Sequence, residues 1–141
     1  MVFDFEKQFS EIQADMVSIC LEYCENKCEQ LYIHIICEHD NIFPNFFFKI
    51  NGVMRKKHKL SDTDALVSAL RQKETLSIIT KDITEIIRLC EKNGKPVPTE
   101  FRLVYTVTTG NLKADYSYDS VASEEKTIQD VSEEWFVQQS K

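Results

Sequence analysis

Apolar side chains recur at three- and four-residue steps from Phe3 to about Cys28: Phe5, Phe9, Ile12, Met16, Ile19, Cys20 and Tyr23. The acids Asp4, Glu6, Glu11, Asp15, Glu22 and Glu25 interleave with them, and no Pro or Gly interrupts. That spacing predicts an amphipathic helix. The period then changes to two. Leu31, Ile33, Ile35 and Cys37 alternate with Tyr32, His34 and Ile36, so Gln30 to Glu38 reads as a strand apolar on both faces, hence central. His39-Asp40-Asn41 is a turn, and Phe43 to Ile50 a second strand with Phe46, Phe48 and Ile50 inward. Asn51-Gly52 is the strongest short hairpin turn in the chain. Val53 to Lys59 follows as a third strand whose Arg55, Lys56, Lys57 and Lys59 suit an exposed edge.

Ser61-Asp62-Thr63-Asp64 reads as a helix start, with Ser61 as cap and the acids at the positive end of the dipole. Leu66, Leu70, Leu76, Ile79, Ile83, Ile86, Ile87 and Cys90 then form an apolar stripe running to Lys92, with a candidate break at Lys73-Glu74-Thr75. Asn93-Gly94 and then Pro96 stop it. From Pro98 to Asp119 a second hairpin is expected about Thr109-Gly110-Asn111. Phe101, Leu103, Tyr105 and Val107 share one face of its first arm; Leu112, Ala114, Tyr116 and Tyr118 share one face of its second. Ser123 is expected to cap a last helix, Glu124 to Gln138, whose inner stripe is Ile128, Val131 and Trp135.

The expected order is α-β-β-β-α-β-β-α. It makes a single α+β domain of residues 1–141, an antiparallel sheet of about five strands with helices covering one face. No uninterrupted apolar stretch is long enough to span a bilayer. The N-terminal Met-Val-Phe-Asp-Phe-Glu-Lys has no basic region ahead of an apolar run, so no secretory leader is expected and the compartment is read as cytoplasmic. Five cysteines, an odd number, suit a reducing compartment.

A net charge of −6 disfavours nucleic acid as a direct partner and permits a basic protein one. From Asp115 to Glu134 seven acids face one base, Lys126, a local excess equal to that of the whole chain. Cys20, Cys24 and Cys28 lie at i, i+4 and i+8 and read as small buried hydrophobes extending the first helix's stripe, rather than as zinc ligands. His34, alone on an apolar strand, reads as structural. No phosphate-binding loop, dinucleotide fingerprint or nucleophile elbow occurs, so neither enzyme activity nor a cofactor is expected.

Several segments together resemble the YezG-type immunity family, the antitoxins of polymorphic toxin systems. They are Gln30-Leu31-Tyr32-Ile33-His34-Ile35, Phe46-Phe47-Phe48, the helix from Asp62 to Cys90, Pro98-Thr99-Glu100-Phe101-Arg102-Leu103-Val104-Tyr105, Thr109-Gly110, Tyr116-Ser117-Tyr118-Asp119 and the late Trp135. Asn111 departs from the pattern, which has a basic residue after the glycine. The resemblance implies a cytoplasmic antitoxin that binds the C-terminal domain of a cognate toxin, often a nuclease, and neutralises it by stoichiometric blockade. It would act as a monomer or weak homodimer, with no membrane or direct nucleic-acid contact.

The acidic C-terminal third supplies candidate toxin-binding residues: Asp115, Tyr116, Tyr118, Asp119, Glu124, Glu125, Asp130, Glu133 and Glu134. Acids there would complement a basic nuclease surface, and aromatics anchor interfaces. The same acids also fit an ordinary solvated face, and Tyr116, Tyr118 and Trp135 also fit a core. Three other functions stay open: an acidic dimeric chaperone for an exported effector, a small hydrolase using Cys or His, and a structural domain of a larger assembly.

Overall fold

The computed structural model describes residues 2–24, 26–38, 41–56, 69–121 and 126–140. Their order is α1 (Val2–Tyr23), β1 (Gln30–Glu38), β2 (Asn41–Ile50), β3 (Val53–Lys56), α2 (Ala69–Lys92), β4 (Glu100–Thr106), β5 (Asn111–Ser117) and α3 (Ile128–Ser140). This is the expected α-β-β-β-α-β-β-α order, a mixed α+β fold. The strands form one antiparallel sheet in the order β3-β2-β1-β4-β5, with β1 in the middle.

The doubly apolar pattern of β1 now has its cause. Its odd positions Leu31, Ile33 and Ile35 meet Phe48 and Phe46 on β2, and Leu103 and Phe101 on β4. On that side α1 and α2 lie together over the sheet, burying Met16, Cys20, Tyr23, Cys24, Ile79, Ile83, Ile86 and Cys90 with it. The helices do not all cover this face, as the pattern suggested. α3 packs on the other one, where Trp135 meets Tyr32 and Phe47, the even position of β1 and the odd position of β2. A strand apolar on both faces needs a cover on both, and α3 provides the second.

Local chemistry sets the boundaries. Asn51 and Gly52 both take positive φ, 51° and 78°, in the two-residue turn between β2 and β3. α1 ends at Tyr23 rather than Cys28, because Asn26 adopts φ 59° and its N–H turns back to the Leu21 carbonyl. α2 is continuous through Lys73-Glu74-Thr75. It closes at left-handed Gly94, where the Lys95 N–H reaches the Cys90 carbonyl and the Gly94 N–H the Glu91 carbonyl.

Leu70, read as part of the α2 stripe, is 65% exposed. It lies nine residues from Ile79, about half a turn out of phase at 100° per residue. Thr75 and Asp82 are buried. Ser61 and Leu66 fall outside the described residues, as do His39, Asp40 and Lys57 to Lys59 of the first two turns and the third strand.

Between β4 and β5 the loop is residues 107–110, so Val107 and Thr108 do not pair with β5, though the Val107 N–H donates to the Glu29 carbonyl; Asn111 belongs to β5 opposite Thr106. α3 begins at Ile128, four residues after the expected start. Thr127 and Asp130 cap it reciprocally: the Asp130 N–H donates to Thr127 Oγ1 (3.1 Å) and the Thr127 N–H to Asp130 Oδ2 (3.0 Å). The cap assigned to Ser123 lies outside the described residues.

Candidate functional site

Strand register brings the chain's polar chemistry to one place under α3. His34 of β1 lies opposite Asn45 on β2 and opposite Arg102 on β4, and Glu100 follows on the same face two residues from Arg102. From above, Ser132 of α3 descends between them. His34 Nε2 is 2.6 Å from Glu100 Oε2, and His34 Nδ1 is 3.0 Å from Ser132 Oγ. Arg102 Nε donates to the same Glu100 oxygen at 2.7 Å, and Asn45 Nδ2 to Ser132 Oγ at 2.9 Å.

The network has a consistent direction. Burial works to raise the Glu100 pKa, but hydrogen bonds from His34 and Arg102, and the Arg102 charge, outweigh it and hold the carboxyl below its usual range. An ionised Glu100 takes the hydrogen of His34 Nε2. Nδ1 then accepts from the Ser132 hydroxyl, whose oxygen accepts from Asn45. The Arg102 guanidinium also lies 5.5 Å from the Trp135 ring, joining the network to the aromatic cluster.

Ser132, His34 and Glu100 thus fall in nucleophile, base and carboxylate order, with the two imidazole nitrogens used the opposite way round from a serine-protease triad. Beside them lies a groove of about 420 Å³, lined by Ile42, Phe43, Lys56, Gln129, Ser132 and Phe136 among others. Sequence reading took His34 for a lone structural histidine. Its partners lie 66 and 98 residues away, and only the register joins them.

The buried thiols form a second cluster. The Cys24 and Cys28 sulfurs are 3.2 Å apart. A hydrogen bond from Cys28 brings the Cys24 thiol down to about 7, against burial, while the same contact raises Cys28. Both are buried in the core. Among the described residues no group of three or more His, Cys, Asp or Glu could hold a metal ion.

Among the described residues, the candidate toxin-binding residues do not form one patch. Asp115 is exposed on β5 and Asp119 follows beyond its end. Tyr116 points the other way, half-buried, edge-on to Phe9 and Phe101 and hydrogen-bonded to Gln13. Tyr118 is 53% exposed, whereas Trp135, at 4%, is core. On α3, Asp130 caps the helix, Glu133 pairs with Lys56 (2.8 Å) and Glu134 with Lys126 (2.9 Å). Glu124 and Glu125 lie outside the described residues.

No helix among the described residues is long and apolar enough to cross a membrane. No protein-family model and no curated protein matches the chain.

Proposed function

We propose that this chain is an immunity protein of the YezG type, a cytoplasmic antitoxin that binds a cognate toxin, a basic nuclease domain by preference, and neutralises it by occupying its surface. One observation carries the reading. The segments of the resemblance are the framework of a single fold: Leu31 to Ile35 form β1, Phe46 to Phe48 lie in β2, Glu100 to Tyr105 in β4, Gly110 in the turn and Trp135 at the core of the second face. The exposed acids Asp115 and Asp119 and the exposed Tyr118 leave a surface suited to a basic partner.

The test is co-purification with a tagged copy from native cells. A one-to-one complex with a protein that carries a compact basic C-terminal domain is expected, its toxic activity abolished by an equimolar amount of this chain. Recovery of an unfolded export substrate with two copies would replace this reading with the chaperone. Reversing Glu124, Glu125, Glu133 and Glu134 together to Lys should weaken toxin binding at least tenfold. The two ion pairs lost, both exposed, contribute only about 0.2–1 kcal/mol each, so the variant should fold. Unchanged affinity in the folded variant removes α3 from the contact.

The order Ser132–His34–Glu100 favours one other reading, a small serine hydrolase. It requires Ser132 to be labelled by a fluorophosphonate probe; the immunity reading requires no labelling.

A further inference from the structure

The two edges of the sheet differ. β3 is four residues long, and its Lys56 is held by Glu133 of α3, so that edge is short and charged. β5 is seven residues long, and among the described residues β4 is its one strand neighbour. An edge of that length presents a row of main-chain donors and acceptors ready for another strand. Along it Leu112, Ala114 and Tyr116 are each only half-buried on the α1 side, while Lys113 and Asp115 stand exposed on the other, with no ion pair among the described residues. Three apolar side chains in a row at a sheet edge, each half covered, are an incomplete apolar face.

We propose that β5 pairs antiparallel with β5 of a second copy of this chain, making a continuous ten-stranded sheet. Symmetry and charge select the register. A two-fold axis between antiparallel identical strands must be perpendicular to the sheet, so each residue faces one on the same side of the pleat. Centring the axis on Ala114 pairs the whole of Asn111–Ser117. It also sets Lys113 opposite Asp115 of the second copy, twice, and Leu112 opposite Tyr116, twice. Moving the axis to Lys113 or Asp115 shortens the pairing and places like charges opposite each other, which destabilises a cross-strand pair. Within each copy Asp115 already lies opposite Arg102, so the row across the junction alternates in sign: Arg102, Asp115, then Lys113 of the second copy. The full-length register and the charge-matched register are the same one. This inference does not rest on the immunity reading.

Sedimentation velocity over a series from roughly micromolar to millimolar chain tests it. The wild type should pass from monomer to dimer within that range. Lys113→Asp and Asp115→Lys should each weaken the dimer about tenfold, since each turns two attractive cross-strand pairs into repulsive ones. The double variant, which exchanges the two charges, should recover to within about threefold of wild type. Unchanged circular dichroism and melting temperature establish that each variant folds. A wild type that stays monomeric throughout, single variants that dimerise as well as wild type, or a double variant no tighter than the singles would each overturn the proposal.

Discussion

Single residues carry the pH response. Asp82 sits between α2 and α1 at 6% exposure, and its Oδ2 has no hydrogen-bond partner among the described residues. Burial, then the neighbouring Asp15 carboxyl and the charge of Glu85, push its carboxyl up to about 7 against the pull of Lys81. A folded-state pKa above the unfolded one means that the fold binds this proton. The stability it confers is present at low pH and is lost as pH rises toward 7. Glu100 acts with the opposite sign: its lowered carboxyl contributes stability above the unfolded pKa, which is lost as pH falls. Thermal melting should therefore occur at higher temperature at pH 5 than at pH 7.5, and Asp82→Asn should abolish most of that difference. Glu100→Gln removes the charge that receives both His34 and Arg102 in a buried site; urea unfolding should show a loss of about 1.5–3 kcal/mol.

Among the elements, α3 stands apart energetically. It docks through Trp135 and Phe136 onto Tyr32, Phe47, Met54 and Val104, separately from the large cluster under α1 and α2. Trp135→Ala should cost about 3–5 kcal/mol of that docking. Hydrogen exchange should then show α3 amides exchanging freely while β1 stays protected. The elements themselves were legible because each keeps its period: three apolar steps for α1 and α2, alternation for β1 and β4. The two-sided cover was missed, because the helices were expected on one face only. A strand apolar on both faces demands it, and Trp135 on a separate short helix answers that demand. Boundaries were less legible, because Asn26, Leu70 and Thr127 act through φ, helical phase and capping rather than through hydrophobicity. The His34 network was not legible at all. Asn45, Glu100, Arg102 and Ser132 are unremarkable polar residues until register places them beside one another.

At the scale of the whole molecule, charge decides approach and packing decides retention. A net charge of −6 would draw the proposed basic partner in from a distance. For the proposed toxin, the association rate should fall by about an order of magnitude between low and high salt, while the dissociation rate changes far less. Stopped-flow mixing at a series of ionic strengths measures both. Equal rates at all salt concentrations would assign recognition to the apolar parts of the surface, Tyr118 among them.

The central place of β1 also has a consequence in time. Its first partner, β2, follows at once, but its second is far off: Ile36 pairs with Glu100 and Gln30 with Thr106, separations of 64 and 76 residues. On a ribosome adding about 5–20 residues per second, the bare side of β1 waits roughly 3–15 s for β4. During that interval the most apolar strand of the chain has one open edge, and its Phe-bearing neighbour has no helix above Phe47. For those seconds the nascent chain carries an open apolar strand edge, a template for pairing with another chain that the finished fold no longer has.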